Sequence, residues 1–197
     1  QDKGIRNMIL FNSILTFALS PVFVFWSPVL HGFEHVSYTL IGMAWIFMRA
    51  AMLLGNLVLE KWKHRTFFRL SAVSVVCGLS IIGLAFLKNF WLLFIGILLF
   101  EFLLGLIYPL RETVLNIRIQ HCNRATILSF HSLVVCLFNY ISMILMGKLA
   151  TVFSIEMTWV LSGIILVLVS VMAVLQTGRN IKISKKNREK SHKTNEM

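Results

Sequence analysis

Two ionisable side chains lie deep inside long apolar stretches of this sequence. Glu101 is eleven residues into an apolar run of about twenty that begins at Phe90. Arg49 lies at the centre of another apolar run, 37–59. A charge at membrane depth costs about 3 kcal/mol or more unless it is paired, neutralised or facing water. Glu101, as a carboxylate that can take up a proton, and Arg49, as a permanent cation, are therefore the first functional candidates.

A second group of polar or aromatic residues could line a cavity for a small-molecule solute. Asn12 and Thr16 are four residues apart in the first apolar run, which places them on one face of a helix. Trp45 lies one turn before Arg49, where it could stack on a solute or a cation. Asn139 lies on a polar face of the fifth run. We expect these four to be cavity-lining contacts.

Other charged residues suggest a different role. Arg111 and Glu112 are adjacent, so they point about 100° apart on a helix and cannot both face one cavity. They lie near the expected cytoplasmic boundary, and we expect solvated gate or interface residues there. Glu60 and Lys61, at the end of the second run, are candidates of the same kind. His131 stands alone in its run and is expected to be a hydrogen-bonded packing residue.

The composition predicts the elements that must position these residues. The chain has 197 residues, of which 57% are hydrophobic, and a mean hydropathy of +0.80. Such a chain is not an ordinary soluble domain but an all-α, polytopic membrane protein. Six apolar spans are expected, at about 7–30, 37–59, 66–87, 90–118, 124–148 and 156–177. Pro21 should kink or break the first helix near Ser20. Residues 1–6 form a polar lead-in, and the basic tail 178–197 is predicted to be disordered.

The charges fix the expected orientation. The net charge is +11, but the lysines and arginines cluster in short junctions and in the tail, which disfavours a nucleic-acid groove. Fifteen of them fall on the side that carries both termini, against two, Lys88 and Lys148, on the other. By the positive-inside rule both termini are cytoplasmic. We therefore expect a multi-pass protein of the cell membrane.

No motif for catalysis, metal binding or cofactor binding is present. The sequence has no nucleophile elbow, no paired-histidine zinc motif and no glycine-rich phosphate loop. The three cysteines have no metal-ligand spacing. We expect no enzyme, no cofactor and no metal.

The junction of the fourth and fifth spans resembles the major facilitator superfamily of secondary transporters, in its bacterial form. The matching features are Pro109, the pair Leu115-Asn116, a polar loop ending at Asn123, and the segment Arg-Ala-Thr-Ile-Leu-Ser at 124–129. A weaker match is Gly55-Asn56 followed by a basic turn at 60–65. Six spans with both ends inside correspond to helices seven to twelve of that family.

The resemblance implies one half of a twelve-helix fold, whose N-terminal six-helix half is missing here. It also implies that Arg49 and Glu101, on helices eight and ten, lie close together beside the cavity. The pair would then either respond to protons or solute, or be a static lock between two helices. The implied function is secondary active transport in the lipid bilayer by alternating access, coupled to protons, with efflux of drug-like compounds favoured. The alternative is a degenerate half-transporter that does not transport and either serves as a membrane scaffold or is inactive.

Overall fold

The computed structural model describes residues 3–33, 36–62, 66–119 and 123–195, with side chains described only between residues 4 and 176. The described residues form six helices: α1 (Lys3–His31), α2 (Tyr38–Glu60), α3 (Phe67–Leu84), α4 (Phe90–Arg118), α5 (Arg124–Val152) and α6 (Ile155–Asn195). Each contains a segment long and apolar enough to cross a membrane. The prediction of an all-α protein with six membrane-spanning helices is confirmed.

Short polar residues mark where several helices begin. The side chains of Ser37, Thr66 and Asn89 accept hydrogen bonds from backbone N–H groups in the first turns of α2, α3 and α4. Ser154 does the same for α6, accepting from the Met157 N–H at 3.2 Å. These caps satisfy N–H groups that have no partner within their own helix. Long apolar helices are thus separated by connections of a few residues.

The helix boundaries differ from expectation by more than one residue at four ends. α1 begins at Lys3, within the predicted lead-in 1–6 and before the expected start at residue 7. α3 ends at Leu84, before the expected 87, and Asn89 then adopts an extended backbone and caps α4. α5 continues past Gly147 to Val152. α6 remains helical to Asn195, across most of the segment predicted to be disordered. Lysine, arginine and glutamate favour helix, and no proline follows Gly178 to end it.

The helices pack in a pattern that relates the first three to the last three. The main partners are α1 with α5, α2 with α4, and α3 with α6, followed by α3 with α4 and α1 with α6. Exchanging α1, α2 and α3 for α4, α5 and α6 turns α1 with α5 into α2 with α4, turns α3 with α4 into α1 with α6, and leaves α3 with α6 unchanged. α1 and α4 are the most buried of the six spans, whereas α2 and α5 are mostly exposed.

Glycines allow two of these pairs to approach closely. A Cβ on Gly105 of α4 would overlap the Met52 carbonyl oxygen of α2, and a Cβ on Gly55 would overlap the Phe102 carbonyl oxygen. α3 and α6 cross in the same way at Gly78 and Gly163. Small residues at crossings bring helix backbones together in membrane proteins. The first crossing holds α2 against α4 near the residues that carry the charges.

The proline in the middle of α1 is accommodated without a break. Pro21 has no N–H to donate to the Phe17 carbonyl, which an ordinary residue would bond. Instead, Ser142 Oγ of α5 donates to that carbonyl oxygen at 2.6 Å. α1 is helical on both sides of Pro21, so of the expected kink or break at Ser20–Pro21, the break does not occur. A neighbouring helix satisfies the freed carbonyl, as is required where no water is present.

Candidate functional site

Arg49 of α2 and Glu101 of α4 form an ion pair between the two helices. Arg49 Nη2 lies 2.8 Å from Glu101 Oε1. The Glu101 side chain is fully buried, whereas that of Arg49 is 39% exposed. The carboxylate thus lies in the interior of the helix pair, and the guanidinium extends from it towards the exposed surface of the bundle.

Aromatic and sulfur groups surround the arginine. Arg49 Cζ lies 4.4 Å from the centroid of the Trp45 ring, a cation–π contact. Trp45 in turn stacks on Trp26 of α1, with ring centroids 5.9 Å apart. Arg49 Nη1 donates to Met52 Sδ at 3.4 Å. The expected closeness of Trp45 to Arg49 is therefore present, and it connects the ion pair to α1.

The ion pair leaves two polar atoms unsatisfied. Glu101 Oε2 and Arg49 Nε are buried and have no hydrogen-bond partner among the described residues. An unpaired carboxylate oxygen in an apolar interior is energetically costly. A proton or a polar group brought to Oε2 would relieve that cost, which gives Glu101 a chemical reason to change its state.

A second polar cluster lies between α1, α4 and α5. Arg111 Nη1 donates to Thr16 Oγ1 at 3.2 Å, and Thr16 Oγ1 donates to the Asn12 carbonyl oxygen at 3.0 Å. Arg111 Nε also donates to Glu112 Oε1 at 3.3 Å. Arg111 Cζ lies 5.1 Å from the Tyr108 ring centroid. Arg111 is therefore held from several directions.

The same cluster includes a buried amide and imidazole. Asn12 is fully buried, and its Nδ2 lies 3.2 Å from His131 Nε2 of α5. Its Oδ1 is buried and has no partner in the described part of the chain. An amide has both donor and acceptor capacity, and His131 can satisfy only one end of it. Asn12 thus presents an unfilled acceptor inside the bundle.

The position of Arg111 differs from the expected solvated gate residue. Its side chain is only 14% exposed, while that of Glu112 is 45% exposed. The long arginine side chain reaches across to α1 and also contacts its chain neighbour, so the 100° separation of the two positions does not keep their side chains apart. Arg111 belongs with Asn12 and Thr16, whereas Glu112 reaches the surface.

The remaining candidates lie elsewhere. Asn139 is partly buried on α5 and is not among the residues whose contacts form either site. Glu60 and Lys61 are exposed at the end of α2, and most of the basic turn that follows, 63–65, lies outside the described residues. The structure therefore brings together Arg49, Glu101 and Trp45 in one place and Asn12, Thr16 and Arg111 in another.

Sequence reasoning underrated His131 and Ser142. His131 was expected to be a hydrogen-bonded packing residue without a named partner, and its partner is the fully buried amide of Asn12 on α1. A lone ionisable residue at membrane depth was the available signal. Nothing in the sequence marks Ser142 as the partner of the Phe17 carbonyl, because the two residues lie 125 positions apart.

No known family model, curated protein or solved structure matches this chain. In the described residues, no group of three or more histidine, cysteine, aspartate or glutamate side chains could hold a metal ion. The interpretation of function therefore depends on the two polar sites and the packing of the helices.

Proposed function

We propose that this protein is a secondary active transporter that moves a small solute across the membrane by alternating access, driven by protons. The observation that carries the proposal is the ion pair between Arg49 and the fully buried Glu101, which joins two membrane-spanning helices at 2.8 Å. Ionisable pairs inside a membrane bundle are costly and are typical of ion and solute pathways.

The chemistry of the pair suits a coupling step. Protonation of Glu101 would remove the negative charge that Arg49 neutralises, and the pair would lose its electrostatic attraction. Arg49, already 39% exposed and stacked on Trp45, could then turn towards the exposed surface of the bundle. The unpartnered Oε2 provides a place for the proton. One proton would thus loosen the contact between α2 and α4.

The packing of the helices supports the same class of protein. Each half of a major facilitator contains two inverted repeats of three helices. Here the main contacts, α1 with α5, α2 with α4 and α3 with α6, are preserved when the first three helices are exchanged for the last three. Together with the residues 109–129 that resemble the family, this pattern favours a major-facilitator half over an unrelated six-helix bundle.

A second six-helix half is the proposed partner. Ser129, Ser132, Cys136 and Tyr140 are exposed along α5, at three- and four-residue spacing. Polar and small residues on one helix face in a membrane are typical of helix–helix interfaces rather than of lipid contacts. We expect the 197-residue chain alone to give no solute flux in liposomes. Saturable flux from this chain alone would instead indicate a working homodimer.

One observation favours a second function, that of a non-transporting scaffold. Glu101 is fully buried, and the glycine crossing one turn further along α4, at Gly105, holds α2 and α4 in tight contact. A pair so enclosed could be a static lock. In that case its charges serve only the stability of the bundle.

A comparison of the Glu101→Gln, Arg49→Met and double variants separates the two functions. The measurements are the amount of folded protein in the membrane and the accumulation of a panel of solutes under an imposed pH gradient, in vesicles that contain both halves. If the pair couples protons, the double variant regains folding but not gradient-driven accumulation. Recovery of both together would rule out the coupling role. The matched control for expression and flux is Lys88→Cys, a substitution at an exposed position between α3 and α4, outside both polar sites.

The proposed orientation places both termini in the cytoplasm of a cell. Lys61 and Lys88 are both exposed. Lys61 precedes α3 and Lys88 follows it, so the two lysines adjoin opposite ends of one membrane-spanning helix. An impermeant thiol reagent added outside intact cells should label Lys88→Cys and leave Lys61→Cys unlabelled, in a background without native cysteines. The reverse pattern would overturn the orientation.

A further inference from the structure

The second polar cluster, formed by Asn12, Thr16, Arg111, Glu112 and His131, is not satisfied by its own members. We propose that it is the solute-binding site and that it takes a small organic anion that also carries a hydrogen-bond donor. This inference rests on the proposed transport function, since it names the class of solute that such a transporter would carry.

Arg111 supplies the anion-binding group. A guanidinium has five N–H donors, arranged as a planar fork that matches a carboxylate. In the described structure two of the five have partners, one on Thr16 and one on Glu112. The end of the fork formed by the remaining Nη donors is available to a carboxylate. The contact with Glu112 is a single one at 3.3 Å to a side chain that is 45% exposed, so a solute could replace it.

Thr16 fixes where that fork lies. Its hydroxyl accepts from Arg111 and donates to the Asn12 carbonyl, so both of its hydrogen-bonding roles are occupied. The guanidinium is therefore held against α1 in a defined position. A site whose binding group is already held loses less entropy when a solute binds.

Asn12 supplies the second recognition group. Its Oδ1 is an acceptor without a partner in a fully buried side chain, and the other end of the amide is taken by His131. Asn12 lies one turn of α1 from Thr16, or about 6 Å. A solute that carries an N–H or O–H donor together with a carboxylate could satisfy Asn12 and Arg111 at the same time.

The two sites would then have separate tasks. Glu101 is completely enclosed, so a solute has no access to it, whereas a proton needs little room. The cluster around Arg111 extends from the fully buried Asn12 to Glu112, whose side chain is 45% exposed, so in the proposed site a solute would enter from the side of Glu112. An apolar drug would leave Arg111 and Asn12 unsatisfied and fits this cluster poorly.

The test is binding of three probes to the purified chain in detergent, measured by titration calorimetry. The probes are 4-aminobutyrate, which carries a carboxylate and a donor, butyrate, which carries only the carboxylate, and 1-aminobutane, which carries only the amine. We expect 4-aminobutyrate to bind at least tenfold more tightly than either other probe. Arg111→Lys, which keeps the charge and loses the fork, and Asn12→Leu should each weaken it at least tenfold. Arg118→Lys, on an exposed arginine of the same helix, is the matched control and should not change it.

The outcomes distinguish this inference from the proposed function. Absence of binding, equal binding to the Arg111→Lys variant, or preference for 1-aminobutane would overturn the anion site. Equal affinity for butyrate and 4-aminobutyrate would remove Asn12 from it. Intact binding to the chain, with no transport in vesicles that contain both halves, would contradict the proposed function and leave the site standing.

Discussion

Arg49 and Arg111 are both arginines of the same bundle, but their ion pairs differ in how far they depend on the packing of the helices. Arg49 pairs with a carboxylate 52 residues away on another helix, and that carboxylate is completely buried. Arg111 pairs with its chain neighbour, whose carboxylate is half exposed. The first pair exists only because α2 and α4 pack together. The second would be possible in an isolated helix, so it adds little to the fold, and in the proposed site a solute would replace it.

The largest expected effect comes from neutralising the two carboxylates in turn. Glu101→Gln leaves Arg49 without a counter-charge inside the bundle and should lower the free energy of unfolding by about 3–5 kcal/mol. Glu112→Gln should lower it by about 1 kcal/mol or less, because that pair is exposed to screening. Reversible unfolding of the purified protein in mixed micelles measures both. Equal losses would show that the two arginines do not differ as the structure indicates.

A smaller effect should follow from separating α2 and α4 without touching a charge. Gly105→Ala places a methyl group against the Met52 carbonyl oxygen, a backbone atom that cannot move aside alone. We expect a loss of about 3 kcal/mol in the free energy of unfolding, at the upper end for an overpacked site. The Arg49–Glu101 contact should lengthen with it, since the same crossing holds both helices.

Gly42→Ala is the matched control for that experiment. Gly42 lies within α2, and a Cβ there would meet nothing within 4 Å. Alanine favours helix over glycine, so this variant should be as stable as the original protein or more stable by about 0.5–1 kcal/mol. If both glycine variants behave alike, the close crossing does not contribute to stability.

The fold was largely predictable because membrane spans are encoded locally. Twenty consecutive apolar residues predict a helix without any knowledge of its neighbours. The ends were less predictable, as at Leu84, where α3 ends before the expected residue 87. The basic segment after Gly178 was predicted to be disordered from its composition, which does not report the helix propensity of lysine and glutamate.

The candidate sites were predictable only as lists of residues. A charge inside an apolar run marks Glu101 and Arg49 individually, and the resemblance to major facilitators suggested that they meet. The grouping of Asn12, Thr16 and Arg111 was not foreseen, because the side chain of Arg111 extends across a helix interface. Hydrogen bonds between distant residues depend on how helices rotate against each other, and periodicity within one helix does not specify that rotation.

The smallest expected effect concerns Ser142, which differs from both arginines because it supports α1 without any charge. Ser142→Ala removes the donor to the Phe17 carbonyl and should cost about 1 kcal/mol, a typical value for a hydrogen bond between membrane helices. Pro21→Ala restores an N–H that can bond the same carbonyl within α1. In that background Ser142→Ala should therefore cost close to nothing, whereas Ser132→Ala, at an exposed position of α5, should cost less than about 0.5 kcal/mol in either background. The four unfolding free energies of the Pro21 and Ser142 cycle measure the coupling directly. If Ser142→Ala costs the same with proline or alanine at position 21, the serine does not compensate for the proline.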